Sequence, residues 1–270
     1  MMDTDQIMRT ALKQAGFKTT PADSEVHVKG RKIRKVLVSI DVGVGELLLA
    51  RNLGCDAVIA HHPAGGTARL EGYKVFRRHV EQLKEAGVPS EVAEVAVKPK
   101  YKQLEIQHHP DNYDQVPSAA KKLRMPLLSI HSPCDEVGRQ VIRQSLKSLD
   151  GNASVGAAVA RISRLPEFRK ALTKIEVRLG SPKNMAGEIV VSHGAYTNGG
   201  YDIARAYFQH GVGTVSYIHI SDADLTKLAA DGVGNLIVLG HIASDWLGLN
   251  VLLKELEKRD VEAVTTTDLH

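Results

Sequence analysis

Cysteine is nearly absent: Cys55 and Cys134 are the only two in 270 residues, far apart and in no C-x-x-C pair. That excludes a disulfide scaffold and a zinc-ribbon site, and it fits a reducing compartment. Aromatic residues make up only 4%, too few for the stacking platforms that hold single-stranded nucleic acid. No apolar run approaches the roughly 20 residues needed to cross a bilayer, so no membrane anchor is expected. The amino terminus, MMDTDQIMRTALKQAG, lacks the basic start and apolar core of a secretory leader, which points to a cytoplasmic protein. Charge of one sign is scarce as well: the formal net charge is +4, and the one dense basic run, at 30–34, reads as a solvated turn. Nucleic acid is therefore not an expected partner. Gly43-Val-Gly45 lacks the third glycine and the acid of a dinucleotide fingerprint, and no phosphate-binding G-x-x-x-x-G-K run occurs, which excludes NAD and P-loop chemistry.

What is present is a series of short β-branched runs, each followed by turn residues and then a helical period. This is the pattern of parallel strands joined by crossover helices. Strands are expected at 35–41, 56–60, 126–130, 175–179, 188–192, 214–218, 236–240 and 261–265, with helices at 45–53, 73–86, 136–149, 201–210 and 245–258. The fold class is α/β, as two α/β series with largely parallel sheets. The first domain is expected to combine 1–135 with 236–270, and the second to span 136–235. Residues 88–121, with prolines at 99, 110 and 117, read as the least regular region, an insertion or lid. The small-residue stretch 154–160 carries too little bulk for a strand.

Ligands of open parallel sheets bind beyond the carboxyl ends of the strands, where loops and helix amino termini converge. Four predicted strands deliver Asp or His to that rim: Asp41, then His61-His62-Pro63, then His131, then His241. The doublet leaves its strand with side chains pointing to opposite faces, so two imidazoles could each serve one metal of a pair. His131 and Asp135 are four residues apart, as are His241 and Asp245, a spacing that turns both side chains of a pair toward one point when a helix begins there. Imidazoles with carboxylates suit Zn, Fe, Mn or Ni without choosing among them. A second doublet, His108-His109-Pro110, follows no apolar strand and reads as a loop pair. The segment from His193 to Tyr201, rich in glycine, reads equally as a plain turn or as a phosphate cradle at a helix start. Cys134 reads as a packing residue.

Three blocks of the chain resemble the Nif-three-like dinuclear metal-centre family, also described as GTP cyclohydrolase 1 type 2 homologues. VLVSIDVGVGELLLARNLGCDAVIAHHP, from Val36 to Pro63, matches the family's strand, helix, strand and His-His signature; IHSPCD, from Ile130 to Asp135, is similar to its His-x-x-x-Asp segment; and GHIASD, from Gly240, is similar to its carboxyl-terminal Gly-His block. The resemblance implies that His61, His62, Asp135, His241 and Asp245 hold two divalent metal ions per chain. It makes His131 a pocket residue and Asp41 an orienting carboxylate. It further implies two similar α/β domains with the metal site at the strand ends between them, a homohexamer and hydrolase-like activity; the function expected from this site is that of a metal-dependent hydrolase of a nucleotide-like or phosphorylated small molecule, with His131 and His193 as the candidate catalytic proton carriers. A metal-stabilised oligomeric binding protein without turnover is the alternative. Two departures stand out: Asp245 occupies the place of the family's Glu, one methylene shorter, and Thr214 to Asp222 replaces a segment richer in Gly, Lys and Asp.

Overall fold

A computed structural model describes residues 1–267. In chain order the elements are α1 (Thr4–Ala15), β1 (Glu25–Val28), β2 (Lys35–Ser39), α2 (Val44–Asn52), β3 (Ala57–Ala60), α3 (Gly66–Glu71), a 3-10 turn (Gly72–Arg77), α4 (Arg78–Glu85), α5 (Ser90–His108), α6 (Gln115–Leu123), β4 (Leu127–Ser129) and α7 (Ser132–Leu146). They continue with α8 (Val155–Ile162), α9 (Pro166–Lys170), β5 (Glu176–Leu179), β6 (Glu188–Val191), α10 (Gly200–Gln209), β7 (Val212–Tyr217), α11 (Asp222–Asp231), β8 (Asn235–Val238), α12 (His241–Glu257) and β9 (Glu262–Thr265). No helix among the described residues is long and apolar enough to cross a membrane.

Two compact units result. One comprises residues 1–75, 104–137 and the stretch from Asp245 onward; the other comprises 76–103 and 138–244. The division falls within α5, α7 and α12.

Each unit is built on one sheet. The first has strand order β1-β4-β3-β2-β9 and the second β5-β8-β7-β6. In the first, β1 runs antiparallel to β4 while β4, β3, β2 and β9 run parallel. In the second, β5 runs antiparallel to β8 while β8, β7 and β6 run parallel. Apart from β9 the connectivity is the same: a leading edge strand lies antiparallel beside the fourth strand, followed by the third and the second. The chain is therefore two α/β units of one topology.

The first unit's core explains its strands. β3, Ala-Val-Ile-Ala, is buried at every position, as a parallel strand covered on both faces must be. Leu37, Val58 and Leu127 from three adjacent strands pack with Leu47 and Ala50 of α2 and with Ala120 of α6. α1 is held by a capping box, in which Asp3 accepts from the Gln6 amide and Gln6 returns the bond, and it ends on Gly16 at φ 74.

Two expectations need correction, at 88–121 and at His108, while the stretch 154–160, read as no strand, is helical. The region 88–121 is not an irregular insertion but the two helices α5 and α6. Ala93, Ala96, Val97 and Leu104 are buried, and their helical spacing outweighs the one backbone bond that Pro99 removes. The stretch 154–160 forms α8, started by the Ser154 hydroxyl accepting from the Ala157 amide. His108 is no loop residue: it is the last residue of α5, paired with Asp111 at 2.7 Å.

Within the second unit, His79 of α4 is wholly buried against Phe76, with Nε2 donating to the Thr197 carbonyl at 2.9 Å. Burial drives its pKa from 6.5 down to about 3, so the folded chain keeps it neutral while the unfolded chain protonates it near 6.5. The unfolded state thus binds the extra proton, and this contribution is complete above pH 6.5 and lost as pH falls toward 3. In His79→Gln, urea midpoints measured from pH 7 to pH 3.5 should fall less steeply than in the unmodified protein; parallel profiles would rule this origin out.

Candidate metal centre

The first unit gathers the polar residues of its strand ends into one place. The parallel ladder continues beyond β3, with the His61 amide donating to Ser39 O at 2.8 Å and the His62 amide to Ile40 O at 2.9 Å. The doublet is thus still extended backbone, and its side chains alternate: His61 is wholly buried, whereas His62 keeps 24% of its side chain exposed. Past Pro63 the Ala64 amide donates to Ser129 Oγ at 2.9 Å, tying the exit to β4. Asp135 stands in the first turn of α7 and Asp245 in the second turn of α12; both are buried, at 3% and 1% exposure. His241 opens α12 one turn ahead of Asp245, with Gly240 at φ 98 making the sharp passage out of β8.

Distances define what this cluster can do. His61 Nε2 lies 3.1 Å from Asp135 Oδ1 and 3.6 Å from Asp245 Oδ2, and His62 Nε2 lies 3.4 Å from Asp245 Oδ2. Two ligands held at roughly 2.1 Å from one ion stand about 3.0–3.4 Å apart, octahedral or tetrahedral. The observed separations match, within a few tenths of an ångström.

Proton positions point the same way. His61 Nδ1 is 3.2 Å from the Ile130 carbonyl; a carbonyl only accepts, so Nδ1 carries a hydrogen and Nε2 is the ring nitrogen left to present a lone pair to a metal. That buried Nε2 has no hydrogen bond among the described residues, and it faces carboxylate oxygens, which also present lone pairs. A cation between them turns this repulsion into coordination. The buried cluster of His61, Asp135 and Asp245, with ligand atoms within 4.8 Å of one another, therefore fits a metal.

His62 is met from outside by Asp41, whose Oδ1 lies 2.8 Å from His62 Nδ1. Burial opposes charge on His62, but the carboxylates of Asp245 and Asp41 outweigh it and raise the pKa from 6.5 to about 10. A cation must therefore displace a proton there, so affinity at this imidazole falls as pH falls. Burial pushes the Cys134 thiol well above its ordinary value; it stays a thiol and packs.

The remaining predicted residues lie as follows. His131 follows β4, and its ring forms a triangle with those of His61 and His62, with centroids 5.0 to 5.4 Å apart. His193 belongs to the second unit, buried just beyond β6, with its carbonyl accepting from Gln82 Nε2 at 2.6 Å. His241 is exposed on α12, its ring 5.3 Å from that of His219. Asp23, which no motif or periodicity marks, is wholly buried and lies 3.0 Å from His131 Nδ1.

No family model matches the chain, and no curated protein matches it. Solved structures do. A NIF3 superfamily protein from Sphaerobacter thermophilus is 46% identical over 98% of this chain and 98% of its own, with a TM-score of 0.94. Reduced HcgD from Methanocaldococcus jannaschii superposes with a TM-score of 0.60 at 12% identity, over 98% of this chain and 97% of its own. A Bacillus cereus protein related to NIF3 gives 0.57 at 10%, over 99% and 97%. At 12% and 10% identity, likeness extends to the fold alone.

Proposed function

The chain belongs to the NIF3 superfamily, and on that premise we propose that it holds two divalent metal ions and acts as a hydrolase of a nucleotide-like or phosphorylated small molecule, in the manner of GTP cyclohydrolase 1 type 2 homologues. The observation that carries the reading is the buried His61 Nε2 lone pair turned toward the Asp135 and Asp245 carboxylates. His61, His62, Asp135 and Asp245 would hold the ions together with His241, which stands one turn ahead of Asp245 on α12. The ions, bound, would supply Lewis acidity and stabilise negative charge on the attacked group. Zn, Fe, Mn and Ni all suit the donor set. Asp41 holds the His62 ring in place through Nδ1. His193 is the proposed proton carrier; His131, also expected in that role, lies 3.4 Å from Asp135 Oδ2 through Nε2.

Protein purified without chelator should carry close to two metal ions per chain by elemental analysis. It should turn over at least one member of a nucleotide and phosphoester panel assayed with each of the four metals. His62→Ala should lower that turnover by about a hundredfold or more, comparable with the loss of a major transition-state interaction. A panel that stays silent with every metal would remove the hydrolase reading and leave the metal site standing.

One observation favours the alternative of a metal-stabilised oligomeric binding protein. Leu48, Leu49 and Leu53 of the α2 region are 39 to 42% exposed, an apolar face suited to a second copy of this chain. A solution mass of six copies, with bound metal and no turnover, would decide for it.

A further inference from the structure

We infer that His131 is itself a ligand of the metal centre, through Nε2, and that Asp23 is the buried carboxylate that fixes it there. The inference rests on the metal reading above and enlarges its ligand set.

The tautomer follows from Asp23. Its carboxylate, with no exposed surface, receives the Ser132 hydroxyl and the Ser24 hydroxyl, the latter at 3.3 Å, and lies 3.0 Å from His131 Nδ1. The Ser24 hydroxyl in turn accepts from the His131 amide at 3.1 Å, so ring and backbone are clamped by the same two residues. A carboxylate accepts, so Nδ1 carries hydrogen and Nε2 is left to coordinate. That Nε2 is 3.4 Å from Asp135 Oδ2, again the separation of two ligands on one ion. Asp135 is thus flanked by two imidazoles: His61 Nε2 on Oδ1 and His131 Nε2 on Oδ2. The other nitrogen of each ring faces an acceptor, the Ile130 carbonyl for His61 and the Asp23 carboxylate for His131. Ligand nitrogens of His61, His62 and His131 also lie within 4.8 Å of one another.

Topology adds an independent argument. β4 and β8 occupy the same position in their sheets, beside the antiparallel edge strand. His131-Ser-Pro-Cys-Asp135 follows one and His241-Ile-Ala-Ser-Asp245 follows the other, each running into the first turns of a long helix. The histidine and carboxylate recur at equivalent places, and whatever coordinates from the second is matched in the first. A third nitrogen donor in the first unit also offsets the shorter reach of Asp245.

The competing arrangement is an imidazolium bridging Asp23 and Asp135 without touching metal. Long-range nitrogen–proton NMR of the unmodified protein separates the two. Zn2+ added to chelator-treated protein should shift the His131 Nε2 resonance to the metal-bound range and leave Nδ1 protonated; a His131 ring protonated at both nitrogens in the Zn-loaded protein would overturn the inference. Asp23→Asn, checked for folding by circular dichroism, should weaken Co2+ binding by roughly 10- to 100-fold, as loss of an outer carboxylate does, and His131→Ala should lower the imidazole count per ion in X-ray absorption. Unchanged Co2+ affinity and imidazole count in both variants would sink it while leaving the metal reading intact. Failure of the unmodified protein to bind Co2+ or Zn2+ would sink both.

Discussion

Replacing His61 with alanine is expected to strip the centre of metal, with affinity for Zn2+ or Co2+ falling well beyond the roughly 10- to 100-fold typical of an outer-sphere residue. This one side chain touches both buried carboxylates, with Nε2 3.1 Å from Asp135 and 3.6 Å from Asp245 while Nδ1 faces the Ile130 carbonyl. The second consequence is structural. Without the ring, two buried carboxylates whose ligand oxygens lie within 4.8 Å of each other lose the group that separates them. Truncating the fully buried ring also leaves a cavity, a change that typically costs roughly 2–5 kcal/mol, and urea unfolding of chelator-treated protein should show a loss of that order. Elemental analysis tests the first effect: a His61→Ala protein with two ions per chain would remove the basis for placing metal here.

Why the doublet could be read from sequence and its surroundings could not is a matter of range. β2 and β3 are continuous apolar runs between turn residues, and they lie within about two residues of their expected bounds. His61 and His62 were therefore legible as strand-end residues with opposite facings. α12 was placed four residues late, at Asp245, because the helix begins in Gly240-His241 without a capping residue. β1 went unseen: its four residues are all half-buried, so no alternation marks it. Asp23 sits just ahead of that strand and meets Ser132, 109 positions away. A residue whose role is made wholly by tertiary packing leaves no local period to detect. Pro99 misled in the other direction, since a breaker residue inside a well-buried helical face is tolerated.

Duplication of topology explains why the histidines recur without any sequence repeat. Turns after β3 and β7 deliver His61-His62 and His219; turns after β4 and β8 deliver His131 and His241. Within each unit the two sites adjoin, with ring centroids 5.0 Å apart for His61 and His131 and 5.3 Å for His219 and His241. Neighbouring parallel strands bring their carboxyl ends to one rim, so equal topology suffices to pair the imidazoles while the rest of the sequence diverges. The units differ in what lies opposite. Asp135 and Asp245 supply buried carboxylates to the first, whereas in the second Asn198 Nδ2 lies 2.9 Å from His219 Nδ1 and its Oδ1 accepts from Lys100 at 3.1 Å. The first unit's rim thus offers buried carboxylates that could hold a cation, whereas the second places an ammonium beside its imidazole pair.

Gly248→Ala is expected to damage both fold and centre, although helix propensity alone predicts the reverse. Gly248 lies inside α12, where alanine would ordinarily gain about 1 kcal/mol. A Cβ there would stand 1.8 Å from the Cys134 carbonyl oxygen and 2.5 Å from its carbon. Both atoms are backbone at the start of α7, so no rotamer change can relieve the clash and the helices must separate. Cys134 adjoins Asp135, and Gly248 follows Asp245 by one helical turn; this close crossing is what sets the two carboxylates at coordinating distance. Overpacking typically costs roughly 1–3 kcal/mol, and a backbone obstruction belongs at the upper end of that range, with Zn2+ affinity expected to fall about tenfold or more. Gly45→Ala in α2 is the matching control, since nothing lies within 4 Å of its added Cβ, and it should stabilise slightly without altering Zn2+ binding. Equal urea midpoints and equal Zn2+ affinities in the two variants would mean that the α7 and α12 crossing does not govern the site.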